Sequence, residues 1–154
     1  TGREGRGFDW YPLYRDPLLA VVPPDHPLAG AERFPVAELE GAEFILPRAG
    51  FDVDIHQVLE KAGCNPKIKF TSCNDYAIMS MVAAGLGVSI LSKLILDSFP
   101  CEAVALPMEP AFSRILGMGV PADRTVSPAT RNFMRYVRRY VGALSGGEEF
   151  RQDV

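Results

Sequence analysis

Segments with strand-like and helix-like patterns alternate through the middle of the chain, and this alternation restricts the fold strongly. The apolar run EFILP has the length of a strand, and KIKFTS alternates apolar and polar residues like a half-buried strand. Between them, DVDIHQVLEKA places Ile55 and Leu59 on one helical face, with Asp52 suited to cap its start and Gly63 to end it. The pattern predicts an α/β fold with parallel strands joined by helical crossovers.

The stretch VAAGLGVSIL has two glycines between an apolar helix and an apolar strand. A dinucleotide-binding loop needs the opposite order, in which a strand precedes the glycines and a helix follows them. We therefore interpret Gly85 as the end of a helix and Gly87 as a position that permits a close approach of the backbone into the next strand.

The remaining segments predict further elements. FDWYPLYRD and LLAVVP are interpreted as two strands separated by Asp16 and Pro17, and EAVALP and SRILGMGV as two more. NDYAIMSMVAAG is apolar nearly all round, which is typical of a buried helix, and Asn74 is its cap candidate.

The segment SPATRNFMRYVRRYV predicts a helix that is capped by Ser127. Phe133, Val137 and Tyr140 form its apolar stripe, together with Val141. The arginines 131, 135, 138 and 139 lie largely off that stripe, so they indicate the solvated face of an amphipathic helix more than a nucleic-acid site. The tail 143–154 is predicted to be disordered.

Composition excludes several classes of function. The formal net charge of -3 over 154 residues provides no basic field for DNA binding by this segment. No apolar stretch reaches the roughly 18 residues of a membrane helix. The three cysteines match no metal or redox spacing, and neither His26 nor His56 has a helical partner for a metal, so no metal and no cofactor is predicted. A nucleophile formed by Cys73 with His56 has only residue type in its favour.

A small-molecule site is better supported at two loops that follow strands. RAGFDVD comes after one predicted strand and CNDY after the next, and ligands of open α/β sheets lodge at the carboxyl ends of strands. The helix starts near Asp52 and Asn74 favour an anion, Arg48 offers a bidentate cation and Phe51 an apolar face. Acidic residues already stand at these helix starts. An alternative is therefore that both loops only cap their helices and bind no ligand.

The order of motifs resembles the effector-binding region of LysR-type transcriptional regulators. The resemblance covers residues 9–141 and rests on LLAVVPPDHPLAG, VAELEGAEFILP, EKAGCNPKI, MVAAGLGVSIL and SPATRNFMRYV. It implies the two-lobed type 2 periplasmic-binding-protein fold, with a cleft for a small effector. Gly50 and Phe51 match one effector contact of the family, and Cys73 and Asn74 match another. Arg48 and Asp52 are not family signatures, so their assignment depends on the chemistry above.

The resemblance also implies a division of the chain. Residues 17–100 correspond to a nearly complete second lobe, while 1–16 and 101–142 correspond to crossover strands and the returning part of the first lobe. The family's N-terminal winged helix-turn-helix and the opening of its first lobe are not in this sequence. We therefore expect DNA contact only through that absent domain, and self-association or partial disorder in residues 101–142. Ser92, which stands where the family often has proline, can cap the following helix.

These observations predict an effector-sensing domain of a LysR-type regulator that is cytoplasmic, non-enzymatic and homo-oligomeric, and that binds a small anionic or aromatic acid. An alternative of the same fold is an extracytoplasmic solute-binding protein that delivers a nutrient to a transporter. An enzyme built on this fold would need a convergent acid, base and nucleophile, which the sequence does not indicate.

Overall fold

The computed structural model describes residues 7–48, 52–122 and 125–144. The chain divides into two compact units. Unit 1 combines Thr1–Asp16 with Arg114–Val154, and unit 2 is the continuous segment Pro17–Ser113. The second boundary therefore falls at 113/114, whereas the division predicted from the sequence was at 100/101.

Strands and helices alternate within the described ranges. The strands are β1 (Phe8–Val22), β2 (Phe34–Pro35), β3 (Glu43–Pro47), β4 (Lys67–Ser72), β5 (Ser89–Ser92) and β6 (Val104–Pro121). The helices are α1 (Asp52–Ala62), α2 (Asp75–Ala83), α3 (Lys93–Ser98) and α4 (Pro128–Leu144), and a 3₁₀ turn covers Val36–Leu39.

Parallel pairing of β3 with β4 across α1 confirms the predicted crossover unit. On the other side of β3, Phe44 bridges to Val88 in parallel, and the backbone N–H of Ile45 donates to the carbonyl of Val88 at 2.9 Å. The remaining strands form a sheet in the order β2-β6-β1-β5, in which β1 and β5 are antiparallel and β2 and β6 are parallel.

The hydrophobic core of unit 2 lies around β3 and β5. One cluster joins the apolar stripe of α1 to Phe34, Phe44 and Ile90, and a second joins α2 to Ile45 and Leu91. Burial of each large apolar side chain stabilises the fold by roughly 1.5–3 kcal/mol. The two clusters therefore fix the positions at which β3 and β4 end.

The predicted breaks in the two long strands were wrong. β1 runs through Asp16 and Pro17 as one strand of 15 residues, and β6 is one strand of 18 residues. Asp16 is fully buried, and its Oδ2 accepts from Arg114 at 2.8 Å (Nε) and 2.7 Å (Nη2). Because this partner satisfies the carboxylate, a charged residue can continue the strand.

Three predicted faces are more exposed than their sequences indicate. Helix α2 buries Ile78, Met79 and Val82 but leaves Tyr76 exposed, because it packs on one side only. Strand β4 exposes both Ile68 and Phe70, since no described element covers this face of the strand fully. The α4 stripe is likewise exposed at Phe133 and Tyr140.

Most predicted helix boundaries are confirmed. Gly63 and Gly85 have φ angles of 66° and 75° after α1 and α2. The Ser127 hydroxyl accepts from the Thr130 N–H at 3.1 Å, as a cap of α4 should. Ser92 precedes α3 but its side chain makes no capping bond. Helix α4 continues past Gly142 to Leu144, and the rest of the predicted tail lies outside the described residues.

Candidate functional site

The carboxyl ends of β3 and β4 lie side by side. The parallel register pairs Pro47 with Ser72, and the Arg48 N–H donates to the Ser72 carbonyl at 2.7 Å. This bond fixes the backbone of Arg48 next to the residues that begin α2. The loop RAGFDVD and the loop CNDY therefore leave the same edge of the sheet, as the sequence predicted.

The start of α2 is organised by two short polar side chains. The Asn74 Oδ1 accepts from the Ala77 N–H at 3.1 Å, which confirms Asn74 as the cap. The Asn74 N–H in turn donates to the Ser72 Oγ at 3.1 Å. The strand end and the helix start are thus joined by side-chain hydrogen bonds, and the positive end of the α2 dipole faces this edge. Asp75 in the first turn partly offsets that potential.

The other predicted effector residues are only partly located. Arg48 and Cys73 are exposed, and the Arg48 guanidinium makes no hydrogen bond or ion pair to any residue in the described ranges. Asp52 is the first residue of α1, but its side chain lies outside the description. Gly50 and Phe51 lie outside the described residues altogether. The structure therefore brings together Arg48, Ser72, Cys73 and Asn74.

Sequence reasoning missed a cavity of about 580 Å³ on another side of α2. Its walls are Tyr76, Met79 and Ser80 of the helix and the segment Pro100–Glu102. The Tyr76 ring meets that of Phe99 edge-on, with centroids 6.3 Å apart. None of the predicted effector residues lines this cavity. The sequence signal that could have located it is a tyrosine, with its polar hydroxyl, at the start of a helix that is otherwise apolar.

The cysteines differ in their surroundings. Cys64 is buried, and its thiol donates to the Val36 carbonyl at 3.4 Å. Burial raises the pKa of the Cys64 thiol, and the negative charge of Glu40 raises it further. This thiol therefore behaves as a small core residue. Cys73 and Cys101 are exposed.

Two further features bear on the kind of site that is present. Within the described ranges, no three His, Cys, Asp or Glu side chains are grouped closely enough to hold a metal ion. Of the helices in that part of the chain, none combines the length and the hydrophobicity required to cross a membrane.

Similar solved structures establish the fold. The regulatory domain of CcmR from Synechocystis PCC6803, solved in complex with 2-PG, matches with a TM-score of 0.81 and 23% identity, covering 92% of this chain and 70% of that one. The effector binding domain of QuiR in complex with shikimate matches with a TM-score of 0.78 and 22% identity, covering 93% and 69%. The fold is therefore that of LysR regulatory domains, which is periplasmic-binding-protein-like.

Relatives in sequence are transcriptional regulators. YybE of Bacillus subtilis, an uncharacterised HTH-type regulator, is 34% identical over 131 residues, which are 83% of this chain and 44% of YybE. GltC of the same organism, a transcriptional dual regulator, is 27% identical over 136 residues, covering 86% and 45%. The chain thus spans less than half the length of these relatives. Residues 2–142 match the LysR substrate binding domain, and the chain belongs to that family.

Proposed function

We propose that this chain senses a small organic anion, such as an aromatic carboxylic acid, at the joined ends of β3 and β4. The observation that carries the proposal is the bond from the Arg48 N–H to the Ser72 carbonyl, because it holds an arginine without a described partner next to the start of α2. A guanidinium can bind a carboxylate through two parallel hydrogen bonds, and a helix start favours negative charge.

The remaining predicted residues have complementary roles in this proposal. Gly50 allows the ligand to approach the backbone, and Phe51 supplies an apolar face for an aromatic ring. Cys73 and Asn74 contribute the neighbouring edge, where Asn74 also holds the helix start in shape. Asp52 and Asp75 add negative charge, so the anionic group of the ligand is expected nearer to Arg48 than to either aspartate.

The relatives support the wider role. QuiR was solved with shikimate, a small organic acid, and the relatives in sequence are HTH-type transcriptional regulators. In the complete protein, we infer that a winged helix-turn-helix contacts DNA, that the regulator is a cytoplasmic homo-oligomer, and that ligand binding here alters DNA binding without catalysis.

The first test is titration of the 15N-labelled chain with benzoate and shikimate, followed through backbone amide shifts. We expect the shifts to concentrate at Arg48 and at residues 72–77. Substitution Asn74→Asp keeps a capping side chain but adds a negative charge, so it should weaken binding about fivefold to tenfold without unfolding α2.

The matched control is Asn65→Asp, which adds the same charge at an exposed position after α1. This variant should bind like the parent chain. Equal weakening by both substitutions, or shifts confined to other regions, would contradict the site. In the complete regulator, Asn74→Asp should retain DNA binding and lose the response to ligand.

A further inference from the structure

Unit 1 contains a cavity that the predicted effector site does not include. It has a volume of about 510 Å³, within the range of about 300–1,000 Å³ that is usual for small-molecule pockets. All of its walls come from unit 1, whereas the strand ends of β3 and β4 belong to unit 2. The lining residues are Tyr11 of β1, Val126, and Arg131, Met134, Arg135 and Arg138 of α4.

The three arginines line the cavity because of their helical spacing. Residues 131, 135 and 138 follow one another at intervals of four and three, which places them on one face of α4. All three are exposed, which agrees with the solvated face predicted from the sequence. The same face borders the cavity with Tyr11, and the Arg138 guanidinium carbon lies 5.0 Å from the centre of the Tyr11 ring.

The positive charge in this cavity is not neutralised by the described part of the chain. Arg131 donates from Nη2 to the Val126 carbonyl at 3.2 Å, and Arg135 donates from Nη2 to the Asn132 Oδ1 at 2.7 Å. Both acceptors are neutral. Among the described residues, no carboxylate forms an ion pair with any of the three arginines. Most guanidinium donors therefore remain available to an anion.

The other walls of the cavity are apolar. Tyr11, Met134 and Val126 supply this apolar lining. A flexible thioether adapts well to planar apolar groups. An inorganic ion would leave these walls unused.

We propose that this cavity is a second ligand site, which binds a small organic anion with a planar apolar body. The anionic group lies between the guanidinium groups of Arg135 and Arg138, and the body packs against Tyr11 and Met134. A nucleic acid is a poorer match, because the surface is concave, its walls are largely apolar and the chain carries a formal net charge of -3.

The test uses 2-naphthoate as the probe and 2-naphthamide as its neutral counterpart, with amide shifts of the 15N-labelled chain as the readout. We expect naphthoate to shift residues 126–138, and naphthamide to bind there about tenfold more weakly because the charge-assisted bonds are lost. Arg138→Gln and Arg135→Gln should each weaken naphthoate binding about tenfold for the same reason.

Arg139→Gln is the matched control, because Arg139 is exposed on the same helix and does not line the cavity. It should leave unchanged the affinity that the shifts of residues 126–138 report. Naphthoate bound at the strand ends would instead shift Arg48 and residues 72–77, so the two sites fail or succeed independently. Thermal unfolding checks that each variant remains folded. Two arginine variants are used so that the proposal can still be tested if one of them is unstable.

Three results would overturn the proposal. The first is the absence of naphthoate-induced shifts in residues 126–138. The second is equal weakening by Arg139→Gln, or equal affinity for naphthamide, since either would mean that the guanidinium groups do not hold the anion. The third is displacement of naphthoate by a short DNA duplex whose binding depends on the same arginines. That result would assign the surface to nucleic acid.

Discussion

At the scale of single residues, the ion pair of Asp16 and Arg114 is the feature that local sequence patterns cannot reveal. The two residues are 98 positions apart, and Asp16 is 0% exposed. A charged residue followed by proline is typical of a strand break, and only a distant partner makes the position compatible with a strand. This explains why the continuity of β1 was not predicted.

Removal of Arg114 tests how much this pair matters. Arg114→Met leaves a buried carboxylate without its cation, so the free energy of unfolding should fall by about 3–5 kcal/mol. The measurement is urea denaturation followed by circular dichroism.

The control is Arg33→Met, which removes the exposed pair of Arg33 with Glu109, where the side chains are 62% and 59% exposed. Water already solvates those charges, so the loss should be below about 1 kcal/mol. A similar decrease in the free energy of unfolding in both variants would mean that the burial of Asp16 does not determine how much its ion pair contributes.

At the scale of elements, the junction between α2 and β5 depends on a close backbone approach. A Cβ atom on Gly87 would lie 2.6 Å from the carbonyl oxygen of Glu43, in β3. The same carbonyl accepts from the Val88 N–H at 2.9 Å. The glycine therefore allows β3 to bond to the segment that leads into β5, as its place in the sequence indicated.

Gly87→Ala should lower the free energy of unfolding by about 3 kcal/mol, because strain at positive φ adds to a clash with backbone that cannot move aside. Gly85→Ala is the comparison, since a Cβ there meets no atom within 4 Å. Only its left-handed φ is unfavourable, so the loss should be about 1–2 kcal/mol. Chemical denaturation measures both, and equal losses would contradict the role of the close approach.

The elements themselves were largely predictable, because helical spacing and caps are local properties. The exposure of their faces was not, since it depends on which neighbours are present. Tyr76 in α2 and Phe70 in β4 both have patterns typical of burial, yet each remains exposed where no described element covers it.

Local sequence patterns revealed only part of the candidate sites. Asn74 was identifiable from its position before an apolar helix, whereas the arginine-lined cavity was not. Its lining includes Tyr11 and Arg138, which are distant in sequence and meet only in the fold. Arg131 and Arg135 have the spacing of an ordinary solvated face, so the spacing alone favours the simpler interpretation.

At the scale of the whole molecule, the outer face of α4 carries an exposed aromatic patch. Phe133, Tyr136 and Tyr140 are 62%, 67% and 57% exposed, and the rings of Tyr136 and Tyr140 stack with centroids 6.3 Å apart. Large exposed apolar patches often mark interaction surfaces. We therefore expect this patch to take part in the self-association predicted for residues 101–142.

The double substitution Phe133→Asp with Tyr140→Asp should shift the chain toward monomer in sedimentation velocity, because buried charge opposes association. Fold stability should change by less than about 1 kcal/mol, since both side chains are exposed. Ala129→Asp, also exposed on α4, is the control and should associate like the parent chain. A parent chain that is monomeric at high concentration would contradict the prediction.

The division of the chain into one continuous and one discontinuous unit determines an order of folding during synthesis. Unit 2 is complete once Ser113 has left the ribosome, whereas the Thr1–Asp16 segment must wait for Arg114 and the residues that follow it. Contacts between such distant segments form slowly, because a long loop must close before they become favourable. We therefore expect unit 2 to fold first, and residues 7–16, although they are made before it, to be among the last to acquire their neighbours.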